Sequence, residues 1–262
     1  MSRDRRHVSA KLFLLKEMVV RDIRSRYAGS GLGLVWAVLL PILWMALYTF
    51  VFSVILRVPV ERGFSTFPEF LMAGLLPWMA IQEAISRSAS VLTDNAVVVK
   101  KAVFPLETLV LSVVFAAVVN QLVAFVVFGV YVFFIGHFSP VWILLVVPTL
   151  VLQILLMYGI GCFAATITAF VRDAGQAIGI LLTIVFFSTP IVYPASLVPL
   201  RYRPLIEANP VAHLVSLYRA AFTLHALPDW GSILYLAAFS VVAAVLGGLL
   251  FLRARPHFAD LI

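Results

Sequence analysis

Arg21, Arg24 and Arg26 lie just ahead of a run of small residues, with glycine at Gly29, Gly31 and Gly33. A guanidinium is a planar fork of donors that meets phosphate oxygens two at a time. Glycines let a backbone approach a head group closely and take positive φ. Free N–H groups at the start of a following helix also favour an anion. The stretch can therefore handle a phosphate-bearing head group at a membrane surface. The plainer alternative is a basic flank that only fixes orientation, with glycines that only make a turn. Arg26 tells the two apart best, because it falls on the otherwise apolar face of its helical wheel.

Other chemistry is missing. No G-x-x-x-x-G-K-[ST] run exists, and none of the four lysines follows a glycine, so that route to ATP is closed. No H-E-x-x-H is present. The histidines His7, His137, His213, His225 and His257 are scattered, which argues against a metal site. No serine pairs visibly with a base. The lone cysteine, Cys162, sits beside Gly161 in an apolar run and reads as a small packed residue.

The elements that must position the arginines are membrane elements. Hydrophobic residues make up 63% of the 262-residue chain and charged residues 12%, against about 45–50% and about 25% for a soluble domain. The expectation is an all-α membrane protein with six transmembrane helices; the runs do not alternate as barrel strands do. The net charge of +7 does not indicate nucleic acid, because eight of the 19 Lys/Arg lie in the first 26 residues and most others flank apolar spans. Residues 1–27 are read as an amphipathic interface helix rather than a signal peptide. Val8, Leu12, Leu15, Val19 and Ile23 share one face, and Glu17, Arg21 and Arg24 lie opposite.

The expected spans are 34–56, kinked at Pro41, then 70–92, 108–135, 141–170, 174–193 and 230–252. Pro77 interrupts the second span. Glu83 and Arg87 in its later half are spaced to pair at i,i+4, facing protein rather than lipid. From 108 to 171 there are 64 residues without a formal charge, too long for one span and right for two, broken at Gly136-His137-Phe138-Ser139-Pro140. Residues 194–229 hold five prolines yet stay apolar, which predicts a buried re-entrant pair of half-helices. A basic tail, 254–262, follows the sixth span. On this topology one side carries 13 Lys/Arg and the other five, so both termini are expected in the cytoplasm.

At this level the chain resembles the type-2 ABC permeases that export lipid-linked polysaccharides (O-antigen, teichoic acid and capsule). The resemblance rests on RDIRSRYAGSGLGLVWAVLLPILWMALYTFVF, NAVVVKKAVFPLE, FVRDAGQ, TPIVYP and EANPVAHLVSLYRAAF, in that order over nearly the whole chain. It implies a multi-pass protein of the bacterial inner membrane that works as a homodimer with a separate dimeric ABC ATPase. ATP and magnesium would be bound by that partner, and this chain would hold no cofactor. It also implies site roles. Asp22, Arg24, Arg26 and Tyr27 would lie near lipid head groups, with Ser30, Gly31, Leu32 and Gly33 at the channel entrance. Asp94, Asn95, Lys100, Lys101, Phe104 and Pro105 would couple to the ATPase, with Arg172 and Asp173 as a second contact. Pro190, Tyr193, Asn209, Pro210, Tyr218 and Arg219 would belong to a periplasmic gate.

A chain without an energy source needs such a partner to push a polymer. A sugar channel wants aromatic faces and neutral hydrogen-bonding groups. Trp36, Trp44, Tyr48, Phe52, Trp78, Tyr131 and Tyr158 are the lining candidates, with packing or interface-belt roles as the alternative. An exporter of a small hydrophobic molecule, a membrane enzyme acting on lipid-linked sugars and a non-transporting scaffold are the competing functions.

Overall fold

Proline, capping and small-residue signals account for most helix ends in the computed structural model. It describes the backbone of residues 2–27, 31–33, 35–61, 63–100, 105–137, 141–222 and 229–262, and their side chains except 2–11, 25–27 and 141–143. The elements are α1 (Ser2–Tyr27), α2 (Val35–Tyr48), α3 (Phe67–Asp94), α4 (Ala96–Val99), α5 (Glu107–Phe134), α6 (Val141–Phe170), α7 (Ala174–Ser188), α8 (Arg203–Glu207), α9 (Pro210–Phe222), α10 (Trp230–Ala254) and α11 (Phe258–Leu261). No strand occurs among the described residues. Val35–Ile55, Glu107–Phe134, Leu144–Phe170 and Trp230–Leu261 are long and apolar enough to cross a membrane.

The first apolar run does not break at Pro41, which lies buried inside α2. Further on, α2 passes into a π-helical turn, Thr49–Ile55. Wide turns of this kind are uncommon and gather at functional places. The second run is helical from Phe67 to Asp94. Thr66 caps it by accepting the Glu69 N–H at 3.4 Å.

At the same end, α5 closes in a Schellman turn. Gly136 has φ 77°, its N–H reaches the Phe133 carbonyl, and the His137 N–H reaches that of Val132. The turn aims His137 at the start of α3, where Nδ1 lies 3.1 Å from Glu69 and Nε2 3.2 Å from Ser65. Phe138–Pro140 lie outside the described residues.

The fifth run needs correction. It was expected to stay helical to Tyr193, but α7 ends at Ser188. Pro190 has no N–H to continue the ladder, and the residue before it, Thr189, is extended with ψ 134°. The stretch beyond, expected to be a re-entrant pair of half-helices, is built of several short helical elements. It has two 3-10 turns, Ala195–Leu197 and Leu200–Tyr202, then α8 and α9. The longest helix of this stretch, α9, is amphipathic and runs Pro210–Phe222; residues 223–228 lie outside the described residues.

Small residues set the main seam. α6 packs more extensively on α10 than any other pair of elements does. A Cβ at Gly247 would stand 2.0 Å from the Gly159 carbonyl oxygen, and one at Gly159 would stand 2.3 Å from the Ala243 backbone. Close backbone approach of this kind is how helices pack inside membranes. Gly161 faces the Ser88 side chain on α3, where a Cβ would stand 2.8 Å from the hydroxyl oxygen, and Cys162 beside it is buried. The basic tail folds back on the bundle. Phe258 is fully buried against Phe251 and Phe170, with ring centroids 5.1 and 6.5 Å away, and Arg255 lies 3.6 Å from Glu107. α1, the last turns of α3, α4 and α11 thus share one end of the bundle.

Candidate functional site

Three of the lining candidates meet around one cavity. Trp44 and Tyr48 come from α2, Trp78 from α3 and Phe186 from α7, and they border about 310 Å³ together with Gln82 and Thr183. Their rings interlock: Trp44–Tyr48 centroids are 5.7 Å apart, Trp78–Phe186 5.7 Å and Tyr48–Phe186 6.5 Å. Phe52, on the π turn, stacks on Tyr48 at 5.9 Å and 14°. Trp36 borders a separate cavity of about 110 Å³ with Glu83, Asn120 and Gln121. Tyr131 and Tyr158 go elsewhere. Tyr131 bonds Thr66 at 3.0 Å beside the α3 cap, and Tyr158 lies against Gly248 at the α6–α10 seam.

The gate candidates cluster at the end of the bundle away from α1. Asn209 donates to the Thr189 hydroxyl at 2.8 Å and accepts the Val211 N–H at 2.9 Å, so it starts α9 and ties it to the end of α7. Pro210 is the first residue of α9. Pro190 is buried, and the Tyr193 hydroxyl donates to the Phe187 carbonyl at 2.8 Å. Tyr218 and Arg219 point to opposite partners. The Tyr218 hydroxyl donates to Gln153 of α6 at 2.6 Å; Gln153 exchanges amide bonds of 3.0 and 2.8 Å with Gln121 of α5 and donates to the Pro77 carbonyl at 3.2 Å.

Arg219 is only 7% exposed. It donates to the Ile191 carbonyl at 2.8 Å, lies 3.4 Å from Glu61 and covers the Phe70 ring at 3.8 Å. Gly74 leaves it room, since a Cβ there would stand 3.4 Å from Arg219 Nη2. A cavity of about 840 Å³ opens beside Glu61, Phe64, Pro190, His213 and Arg219.

At the other end, Arg21 and Arg24 are exposed, and so are Gly31 and Leu32. Positive φ occurs at Gly33, at 51°, and not at Gly31. Gly29, Ser30, Lys101 and Phe104, with the side chains of Arg26 and Tyr27, lie outside the described residues. Lys100, Arg172 and Asp173 are exposed, and Pro105 is half-buried. Asp94 accepts from Ser90 at 2.7 Å, and Asn95 accepts from Arg21 at 3.1 Å. The Glu83–Arg87 pair forms at 3.6 Å, and Arg87 turns its fork on Asp22 of α1.

Sequence reasoning missed Gln121, Gln153 and Glu61. The glutamines carried a signal, being neutral polar residues inside charge-free spans, where such side chains usually bond across helices. Glu61 carried none, because a loop carboxylate has no periodicity to read.

Long apolar helices, a small-residue seam and buried polar cross-links define a multi-pass membrane protein with a shaped interior. Residues 14–223 match the ABC-2 type transporter family, to which the chain belongs. It is 33% identical over 252 residues to the O-antigen export system permease protein RfbA of Myxococcus xanthus, covering 95% of each chain. It is 28% identical over 254 residues to the protein of that name from Klebsiella pneumoniae, again covering 95% of each. To the polysialic acid transport protein KpsM of Escherichia coli it is 25% identical over 235 residues, 89% of this chain and 90% of that one.

Proposed function

We propose that this chain is the membrane half of an ATP-driven exporter that moves lipid-linked polysaccharide across the bacterial inner membrane. The observation that carries the cargo class is the Trp44–Tyr48–Trp78 cavity with Gln82 and Thr183, whose lining carries no formal charge. Sugars offer apolar C–H faces to aromatic rings and hydroxyls to amides and alcohols. The names of the relatives point to the same cargo.

In this reading α2 with its π turn, α3, α5, α6, α7 and α10 are the six crossing segments, and 189–229 is a re-entrant periplasmic gate. Residues 1–33 form the entry segment, 34–253 the permease and 254–262 the tail. Both termini are cytoplasmic by the distribution of Lys/Arg. Two copies act with a dimeric ATPase that docks at 94–105, with Arg172 and Asp173 as a second contact, and that binds the ATP and magnesium. Arg24 and Arg26 meet the carrier's phosphate, and a fork-dependent role means that Arg26→Lys fails to restore what Arg26→Ala loses.

The test is genetic and biochemical. Deleting the gene should remove polysaccharide from the cell surface and leave polymer inside. The wild-type gene should restore it, and Trp44→Ala/Trp78→Ala should not, at equal membrane level. The purified chain should capture an ATPase and hydrolyse no ATP by itself. Normal surface polysaccharide in the deletion strain refutes the function. Full restoration by the double variant refutes the cavity.

A further inference from the structure

The export reading gives the interface helix and the coupling segment separate jobs, yet side chains join them. On α1, Asp22 receives both prongs of Arg87 from α3: Nη1 donates to Oδ2 at 2.7 Å and Nη2 to Oδ1. The pair is partly sheltered, with side-chain exposures of 16% for Asp22 and 35% for Arg87. Glu83, one turn earlier on α3, lies 3.6 Å from Arg87 and accepts a 3.3 Å bond from Asn120 of α5.

Eight residues past Arg87, roughly 12 Å along the helix, Asn95 ends α3. Its carbonyl accepts the Val98 and Val99 N–H groups at 2.8 and 3.1 Å and so starts α4. Its side chain accepts from Arg21 at 3.1 Å and donates to the Val91 carbonyl at 2.9 Å. Two consecutive residues of α1 therefore hold the last two turns of α3 at both ends. A cavity of about 220 Å³ lies between, bordered by Arg21, Asp22, Arg87, Asp94 and Asn95.

Lipid anchoring does not call for these contacts. An interfacial helix needs an apolar face and cations, and Leu12 and Phe13 of α1 already stand exposed for lipid. An acid on such a helix works against anionic head groups; its use here is the fork of Arg87, which fixes direction as well as distance.

We propose that the Asp22–Arg87 pair, with Arg21–Asn95 beside it, is a joint that makes the interface helix move with the coupling end of α3. Motion that the ATPase imposes on α4 then reaches the entry side of α1. Head-group capture on α1 reaches the ATPase by the same contacts. The proposal rests on the export reading above. Asp22 and Arg87 are positioning residues, since they hold one another and not the cargo.

The test uses the full complex of this chain with its ATPase, in the organism that carries the gene and in membranes prepared from it. Asp22→Asn keeps side-chain size, Arg87→Gln keeps a polar but shorter side chain, and each removes the charged pair. Each should lower surface polysaccharide about tenfold, the range in which coupling networks act. Assembly, melting midpoint and basal ATP turnover should stay unchanged. The two changes together should lose no more than either alone. Arg87→Lys should fail as Arg87→Gln does, because it keeps charge and loses the fork. Asp22→Cys/Arg87→Cys bridged by a short bis-methanethiosulfonate should regain export that the unbridged protein lacks; Cys162 is buried and out of reach.

Wild-type export in either single variant overturns the joint. So does full rescue by Arg87→Lys, or a fall in assembly and melting midpoint that tracks the loss of export. A wild-type complex that neither turns over ATP nor exports overturns the export reading itself and the joint with it.

Discussion

Replacing Gln153 by leucine tests how the re-entrant segment is held. The side chain is fully buried, and leucine nearly matches its volume, so no large cavity opens. What is lost is the set of four bonds to Gln121, Tyr218 and the Pro77 carbonyl. Side-chain hydrogen bonds inside membranes average about 0.6 kcal/mol, which gives about 2.4 kcal/mol for four. Partners left buried without a bond would cost about 1–3 kcal/mol each by soluble-protein standards, but Gln121 and Tyr218 keep a 3.4 Å bond to each other. The first scale governs, because in a micelle or bilayer the unfolded helices also find partners. The expected loss is therefore about 2–4 kcal/mol.

Reversible unfolding in mixed detergent and SDS micelles, followed by tryptophan fluorescence, measures it. The informative control is Gln121→Leu/Gln153→Leu/Tyr218→Phe. Removing every partner at once leaves only the Pro77 carbonyl exposed to the loss, so the triple variant should recover to within about 1 kcal/mol of wild type. A Gln153→Leu protein within about 0.5 kcal/mol of wild type refutes the reasoning. So does a triple variant no better than the single.

Gly247→Leu should abolish the folded monomer in detergent. Bringing its Cβ from 2.0 Å to the 3.4 Å of ordinary contact forces α6 and α10 apart by 3.4 − 2.0, roughly 1.4 Å, over their longest seam; size-exclusion profiles and trypsin resistance report it. Glu61→Ala should leave buried Arg219 with the Ile191 carbonyl as its remaining described polar partner and loosen the chain around Ile191. Thiol labelling of a cysteine introduced at Ser216 should become faster, and an unchanged rate refutes a holding role for the Glu61–Arg219 pair. Asp229 accepts from the Ser232 N–H and hydroxyl and from the Gly231 N–H, which hold its carboxyl below the ordinary carboxylate range. A depressed folded value adds stability above the unfolded pKa of about 3.9 and loses it as pH falls through the folded one. The melting gap between wild type and Asp229→Ala should be full at neutral pH and close in acid.

The long apolar helices were legible because formal charge is absent from them. The stretch from Glu107 to Arg172 shows this best, and α5 and α6 fall within a residue or two of expectation. The Glu83–Arg87 spacing gave both the pair and its sheltered setting. What escaped was every fact that depends on which faces meet. Tyr131 and Tyr158 have the composition of channel residues, but Thr66 and the α6–α10 seam claimed them. Trp44, Tyr48 and Trp78 have the same composition and converge, since α2, α3 and α7 pack with those faces together. The π turn at Thr49–Ile55 leaves no trace in apolar periodicity, as Thr49 and Ser53 are too few to mark a polar face. Gly33 needs its positive φ and Gly31 does not, a difference the repeated glycines concealed. The Thr189-Pro190 step is legible as a helix end, but the apolar residues after it mask the break.

The seam between α6 and α10 also sets an order of events during synthesis. Gly159 and Gly247 are 88 residues apart in the chain. At about 5–20 residues per second a ribosome takes roughly 4–18 s to make that interval. For that time the small-residue face of α6 has no α10 to fill it, while α7, α8 and α9 are made. α10 then packs on a face that has been made well before it. Closure of this seam is thus a step after translation of α10. A chain cut short before Trp230 would present an open glycine-lined groove to the machinery that removes unfinished membrane proteins.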